Sequence, residues 1–156
     1  MDKTISKTYA NQVFYTKKQA MQVQITTNGI FVEVAPALPE SDRYNWEAKA
    51  GVKFSISEIC NLVHAMESHR VRGEEGYISS SQTVCGANYK NMQFIHINRK
   101  DQQVRTGLNL YNNMLSFVIV NDKAGVRVNF TILPSEKIRL EKFLNAVVNI
   151  AFTRGL

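Results

Sequence analysis

Met21-Gln22-Val23-Gln24-Ile25-Thr26-Thr27-Asn28-Gly29-Ile30-Phe31-Val32-Glu33-Val34-Ala35-Pro36 is the stretch that decides the fold class. Met21, Val23 and Ile25 alternate with Gln22, Gln24 and Thr26, the period-2 pattern of a strand with one buried face. Thr27-Asn28-Gly29 supplies a turn, because Asn and Gly tolerate positive φ. Ile30 to Ala35 then read as the return strand, ended by Pro36. Strands joined this tightly must be antiparallel, and an antiparallel sheet can leave one face in water.

The same alternation extends outward in both directions. It begins at Val13, and beyond the polar link 39–43 it passes Tyr44-Asn45-Trp46 to a strand in which Val52, Phe54 and Ile56 alternate with Gly51, Lys53 and Ser55. The period then changes. Ser57 is expected to cap a helix with Glu58 in its first turn, and Ile59, Leu62, Val63 and Met66 form its apolar stripe, ending near Ser68. A polar, glycine-punctuated segment, 71–76, follows. Alternation returns over 77–85, 92–98, 105–111, 115–121 and 126–132. A second helix is expected after Pro134, capped by Ser135, with Ile138, Phe143, Leu144, Val147, Val148, Ile150, Ala151 and Phe152 as its apolar residues and Arg154-Gly155 as its stop. That apolar face is too wide for a helix on one small sheet, so it is expected to pack between sheets or against another subunit. Strands, helix, strands, helix: the chain reads as an α+β protein with two antiparallel sheets, each followed by a helix.

The chain has 156 residues, 44% of them hydrophobic and 21% charged, which excludes disordered and fibrous classes and is enough for one self-sufficient core. A single domain over 1–156 is therefore expected, its halves at about 9–70 and 77–156. With no apolar run long enough for a membrane span or a signal peptide, the expectation is a soluble intracellular protein with no membrane partner. Cys60 and Cys85 lack metal or disulfide spacing and are read as reduced. The net charge of +6 is uneven: residues 1–78 hold nine Lys/Arg against nine Asp/Glu, whereas 79–156 hold ten against four. Such an excess favours a polyanionic partner, through phosphate neutralisation and counterion release.

If the apolar residues of each strand face the core, the opposite faces are rich in donors. Lys18, Gln22 and Gln24 line one strand, Lys49, Lys53 and Ser55 another, Arg105, Asn109 and Tyr111 a third, and Arg127, Asn129 and Thr131 a fourth. Acidic residues are nearly absent from these faces, Glu33 being the exception, and Phe31 is an aromatic where a polar residue is expected. Cations for phosphates, amides for base edges and aromatics for stacking are what a sequence-tolerant single-strand platform needs. The strand over 92–98 has apolar residues on both sides and its face is not assigned. No catalytic constellation is present: His64, Glu67 and His69 match no zinc-helix motif, and His64 and His69, five apart, do not share a helix face. There is no P-loop, G-x-S-x-G or G-x-G-x-x-G. The expectation is a protein that is not an enzyme and uses no metal or cofactor.

One region resembles a known family. Phe31-Val32-Glu33-Val34-Ala35-Pro36-Ala37, then Tyr44-Asn45-Trp46-Glu47-Ala48-Lys49, then Val52-Lys53-Phe54-Ser55-Ile56-Ser57 leading into the helix at Glu58, is similar to the Whirly family of single-stranded DNA-binding proteins. Upstream, Tyr15-Thr16-Lys17-Lys18-Gln19-Ala20-Met21 is similar to that family's lysine-glycine-lysine-alanine-alanine-leucine segment, with Lys18 and Ala20 on matching positions. Asn45 stands where the family has aspartate, and Lys17 where it has glycine. The motifs cover about residues 15–60; the second half matches in the order of elements only.

The resemblance implies two four-stranded antiparallel sheets packed near-perpendicular in the order ββββα-ββββα, helices interlocked in a homotetramer, and single-stranded DNA, or RNA in related proteins of the fold, running over the sheets. It also implies a role in DNA replication, recombination or repair. The absence of an organellar transit peptide points to a cytoplasmic or nucleoid-associated setting, bacterial or viral. Combined with the face reading, the expected roles are phosphate contacts by Lys17, Lys18, Lys49, Lys53, Arg105 and Arg127, hydrogen bonds by Gln22, Gln24, Asn109 and Asn129, and stacking by Phe31, Tyr44 and Tyr111. The rival reading is a structural oligomer whose polar sheet faces are merely solvated.

Overall fold

The computed structural model describes residues 6–71, 83–84, 87–88, 91–111 and 114–156, and within them the side chains of all but 68–71, 83–84, 87–88, 91–92, 111 and 114. Strands β1 (Thr8–Tyr15), β2 (Gln19–Thr26), β3 (Gly29–Pro36) and β4 (Ala50–Phe54) form an antiparallel sheet in that order, followed by helix α1 (Ile56–Val71). A two-stranded ribbon, β5 (Thr83–Val84) with β6 (Ala87–Asn88), precedes the second sheet. That sheet is built from β7 (Asn91–Ile97), β8 (Gln103–Tyr111), β9 (Met114–Asn121) and β10 (Val126–Ile132), again antiparallel between sequence neighbours, and is followed by helix α2 (Pro134–Arg154). This is the expected α+β order of four strands and a helix, twice. Most of the strand expected over 77–85 lies outside the described residues. Among the described residues no helix is long and apolar enough to cross a membrane.

Local chemistry accounts for the boundaries, with three differences from expectation. The first helix is capped by Ser55, not Ser57: Ser55 Oγ accepts from the Glu58 amide at 3.1 Å and Glu58 Oε1 accepts from the Ser55 amide at 2.8 Å. This reciprocal box satisfies two amides at once, which the lone serine two residues later could not do. The second helix has Leu133 at its N-cap and Pro134 at its first position, with no side-chain cap. Proline makes Ser135 unnecessary, since it has no N–H to satisfy and its φ suits a helix start. Finally, Trp46–Ala48 is a short 3-10 helix rather than part of a strand, and Trp46 is half-buried within it. As expected, α2 stops at Gly155, whose φ of 66° is left-handed.

The inner faces of both sheets bury one continuous apolar cluster. Val23, Ile25, Val32, Val34 and Phe54 come from the first sheet, Phe94, Leu108, Phe117, Ile119 and Phe130 from the second, and Ile59, Met66, Leu144 and Val147 from the helices. Phe54 joins the layers: its ring lies 5.8 Å from that of Phe94, edge-on, and 6.0 Å from that of Phe117. The second helix returns to the first sheet. Arg139 lies 4.0 Å over the Phe14 ring and donates to Gln12 Oε1 at 2.6 Å and to the Val13 carbonyl at 3.3 Å. Along α2, Leu140, Leu144, Val147 and Ala151 are buried, whereas Ile138 and Phe152 are 50% and 67% exposed. The apolar face is indeed wider than the core it meets.

Phe54 is fully buried at the junction of the sheets, so truncating it leaves a cavity that neither sheet can close. Phe54→Ala is expected to lower unfolding free energy by about 3–5 kcal/mol in urea denaturation.

Candidate nucleic-acid interface

Because a side chain one step along a strand points to the opposite face, the register places every outer residue. In the first sheet Asn11, Gln24, Phe31 and Lys53 form one row across β1 to β4, and Val13, Gln22, Glu33 and Gly51 the next. Neighbours in such a row stand about 4.5–5.5 Å apart, so the expected Gln24, Phe31 and Lys53 are brought together. Phe31 is half-buried and Lys53 is exposed. The stem of Lys53 passes over Gly29, where an added Cβ would come within 2.5 Å of Lys53 Cε; with its φ of 137°, only glycine suits that turn.

Three expected cations sit beside this face, not on its strands. Lys17 and Lys18 are exposed at the tip of the β1–β2 turn, which Thr16 closes by accepting from the Lys18 and Gln19 amides. Lys49 follows the 3-10 helix and pairs with Glu33 at 2.6 Å. Tyr44 is held to the same turn: its hydroxyl donates to the Thr16 carbonyl at 2.7 Å, and its ring lies 5.5 Å from that of Tyr15. Tyr15 is 62% exposed, an aromatic that the sequence reading did not single out although its place in the alternation of β1 puts it outward.

In the second sheet the rows are Arg127, Val120, Arg105 and Ile95, then Asn129, Val118, Gly107 and Gln93, then Thr131, Ser116, Asn109 and Asn91. Arg105, Asn109, Arg127 and Asn129 therefore share a face as expected. All but Asn129 line a shallow depression of about 210 Å³ floored by Gly107 and Val118. Asn129 accepts from the Ser116 hydroxyl, and Arg105 pairs with the exposed Asp122 at 2.8 Å. A surface pair of this kind is worth at most about 1 kcal/mol, so a phosphate can displace the aspartate. Among the described residues Lys17, Lys18, Lys53 and Arg127 make no ion pair. Tyr111 belongs to β8, and its side chain lies outside the described residues.

The structure also assigns the face of β7. Phe94 is buried and His96 half-buried on the inner side, while Ile95 and Ile97, each 65% exposed, face out. The outer edges of the two sheets, β4 and β7, bound a cleft of about 510 Å³ lined by Phe31, Glu33 and Lys53 from one side and Ile97, Asn98 and Arg99 from the other. Asn98 shapes that rim, its side-chain oxygen accepting from the Lys100 and Gln102 amides at 2.9 Å. No group of three or more His, Cys, Asp or Glu converges on a metal-sized site among the described residues.

His96 connects the cleft wall to the helix cap. Its Nδ1 lies 3.7 Å from Glu58 Oε2, its Nε2 3.1 Å from Thr106 Oγ1, and its ring 5.1 Å from that of Phe54. Burial lowers its pKa below the ordinary 6.5, and the Glu58 charge offsets part of that shift.

No protein-family model and no curated protein matches the sequence. Among solved structures, the chain is similar to WHY3 from Arabidopsis thaliana, with a TM-score of 0.59 and 16% identity over 90% of this chain and 86% of that one. It is similar also to WHY1 from the same plant, with a TM-score of 0.58 and 15% identity over 90% and 88% of the two chains. Both are Whirly proteins, so the fold is the one that the motif resemblance implied.

The depressed pKa of His96 sets a pH dependence. The folded state disfavours the imidazolium, so the stability due to neutral His96 is complete above the unfolded pKa of 6.5 and is lost as pH falls through it toward the folded value. The urea midpoint of the parent is expected to fall more between pH 7.5 and pH 5 than that of His96→Gln; parallel profiles would show that the imidazole is not held neutral.

Proposed function

We propose that this protein binds single-stranded nucleic acid, DNA before RNA, along the outer faces of its two sheets, and that it carries out no chemistry on the strand. The observation that carries this reading is the common placement of cations, amides and an aromatic: Lys53 beside Phe31, with Gln24 in the same row, on one sheet, and Arg127, Asn129 and Asn109 on one face of the other, Lys53 and Arg127 making no ion pair among the described residues. Lys17, Lys18, Lys53, Arg105 and Arg127 neutralise phosphates. Gln22, Gln24, Asn109 and Asn129 hydrogen-bond, while Phe31, Tyr44 and Tyr111 stack on bases. Lys49, expected as a phosphate contact, stays paired with Glu33 and takes no phosphate. The Whirly fold supports the same reading, and handling of strands exposed in replication, recombination or repair is the role it serves.

The protein acts as a single domain and as a homotetramer in this proposal. The support is the part of α2 that the core does not cover, with Ile138 and Phe152 exposed and Phe143, Val148 and Ile150 only partly buried on a helix whose Leu140, Leu144, Val147 and Ala151 are buried. Light scattering is expected to give four times the 17.7 kDa of one chain; a monomer at micromolar concentration would remove the helix from the assembly.

The binding reading is tested by fluorescence anisotropy with labelled single-stranded DNA, matched RNA and duplex DNA of about 30 units at two salt concentrations. Single-stranded DNA is expected to bind best, and more weakly as salt rises. Lys53→Ala combined with Arg127→Ala removes two phosphate contacts and is expected to flatten the logarithmic salt slope by about 1.4, at about 0.7 per contact on a single strand. Preference for RNA would reassign the natural partner, and an unchanged slope in the double variant would show that these faces are not the contact surface. Binding to none of the three leaves the solvated structural oligomer.

A further inference from the structure

Glu33 is an acid in the middle of a face otherwise suited to polyanions, and the fold builds a place for it. Its side chain is only 12% exposed, Oε1 accepts from Gln24 Nε2 at 3.1 Å, and Oε2 meets Lys49 Nζ at 2.6 Å. It lies across Gly51 on the neighbouring strand, where an added Cβ would stand 3.2 Å from Glu33 Cγ and 3.6 Å from Oε2. It also lines the cleft between the β4 and β7 edges, together with Phe31, Lys53 and Arg99.

A phosphate cannot settle beside this carboxylate, since like charges repel in a partly desolvated cleft. A strand crossing here must turn its bases toward Phe31 and its phosphates toward Lys53 and Arg99. Phe31 precedes Glu33 by two residues on the same strand face, about 6.6 Å away at the usual strand rise. A base stacked on Phe31 therefore presents its edge to the carboxylate. An ionised carboxylate only accepts hydrogen bonds, and its two oxygens offer about four lone-pair sites, of which Gln24 and Lys49 occupy two. Guanine can supply two adjacent donors, N1–H and the N2 amino group, in bidentate fashion. Thymine and uracil offer one N–H flanked by two carbonyl oxygens, which the carboxylate repels.

We infer that Glu33 makes the β4–β7 cleft a base-reading pocket that favours guanine over thymine. The inference rests on the proposed function and narrows it: the faces bind any strand, and this cleft selects which base lies in it. A good bidentate pair discriminates by about fivefold or more.

The test measures affinity of the full chain, at one salt concentration, for a 30-mer of thymine and for the same 30-mer with isolated guanines, spaced so that no quadruplex forms. A third strand carries inosine in place of guanine, lacking the N2 amino group. The guanine strand is expected to bind about fivefold or more tighter than the thymine strand, inosine is expected to lose most of that gain, and Glu33→Gln, whose amide both donates and accepts, is expected to narrow the difference between guanine and thymine. Equal binding of the guanine and thymine strands by the parent would overturn the base-reading role while leaving strand binding intact, as would an undiminished preference in Glu33→Gln. Should that variant fail to fold, the inosine strand decides alone: affinity equal to guanine's overturns the bidentate contact. Failure of every strand to bind defeats the proposed function itself.

Discussion

The contact of Phe54 with Phe94, Phe117 and His96 is the constraint on which the surface depends. Phe54 ends β4 and Phe94 lies in β7, so this one aromatic junction fixes the free edge of one sheet against the free edge of the other. Burial of these rings is favourable only if the residues before and after them along each strand point outward. Lys53 is exposed because Phe54 is buried; Ile95 and Ile97 are exposed because Phe94 and His96 are not. The cleft between the edges lies beside this aromatic junction, with His96 of the junction among its lining.

His96 and the Ser55–Glu58 cap show how closely that junction is tied to the first helix. The same carboxylate that closes the capping box with one oxygen faces the imidazole with the other. Helix start, sheet edge and cleft wall therefore share one set of polar groups. On the far side of the molecule Arg139 performs the corresponding service, joining α2 to the rim of β1 through the Phe14 ring and two hydrogen bonds. Each half of the chain is fastened to the other, and the outer faces between these fastenings stay open.

Charge on those faces is not uniform in availability. Lys53 and Arg127 are free of ion pairs among the described residues, whereas Arg105 is shared with Asp122 and Lys49 with Glu33. The distinction matters because exchange of an exposed partner for a phosphate costs little, whereas Glu33 is largely enclosed by Gln24, Lys49 and the space over Gly51. A face that looks evenly basic in composition is thus divided into cations free of ion pairs among the described residues, cations shared with an exposed acid, and one enclosed carboxylate.

The strand pattern from Met21 to Ala35, the switch of period into α1 and the outward placement of Gln22, Gln24, Phe31, Lys53, Arg105, Asn109, Arg127 and Asn129 were all legible in the linear chain. Strand and helix periodicities are local, and a period-2 segment has only two faces to choose between. Ser55 and Glu58 as a capping box were legible too, since their spacing is the signature, but Ser57 competes with Ser55 until the first helical residue is known. Where both faces of a strand carry apolar residues, as in β7, periodicity has nothing to choose with, and only the approach of Phe54 makes Phe94 the inner residue. The pairing of Lys49 with Glu33, the attachment of Tyr44 to the Thr16 carbonyl and the cleft that brings Phe31 and Glu33 opposite Arg99 join residues distant in the chain. Outside β7 the sequence alone determined which strand residues point outward; the tertiary structure decided the faces of β7 and which outward residues meet, because that depends on how two sheets pack and no local period carries that information.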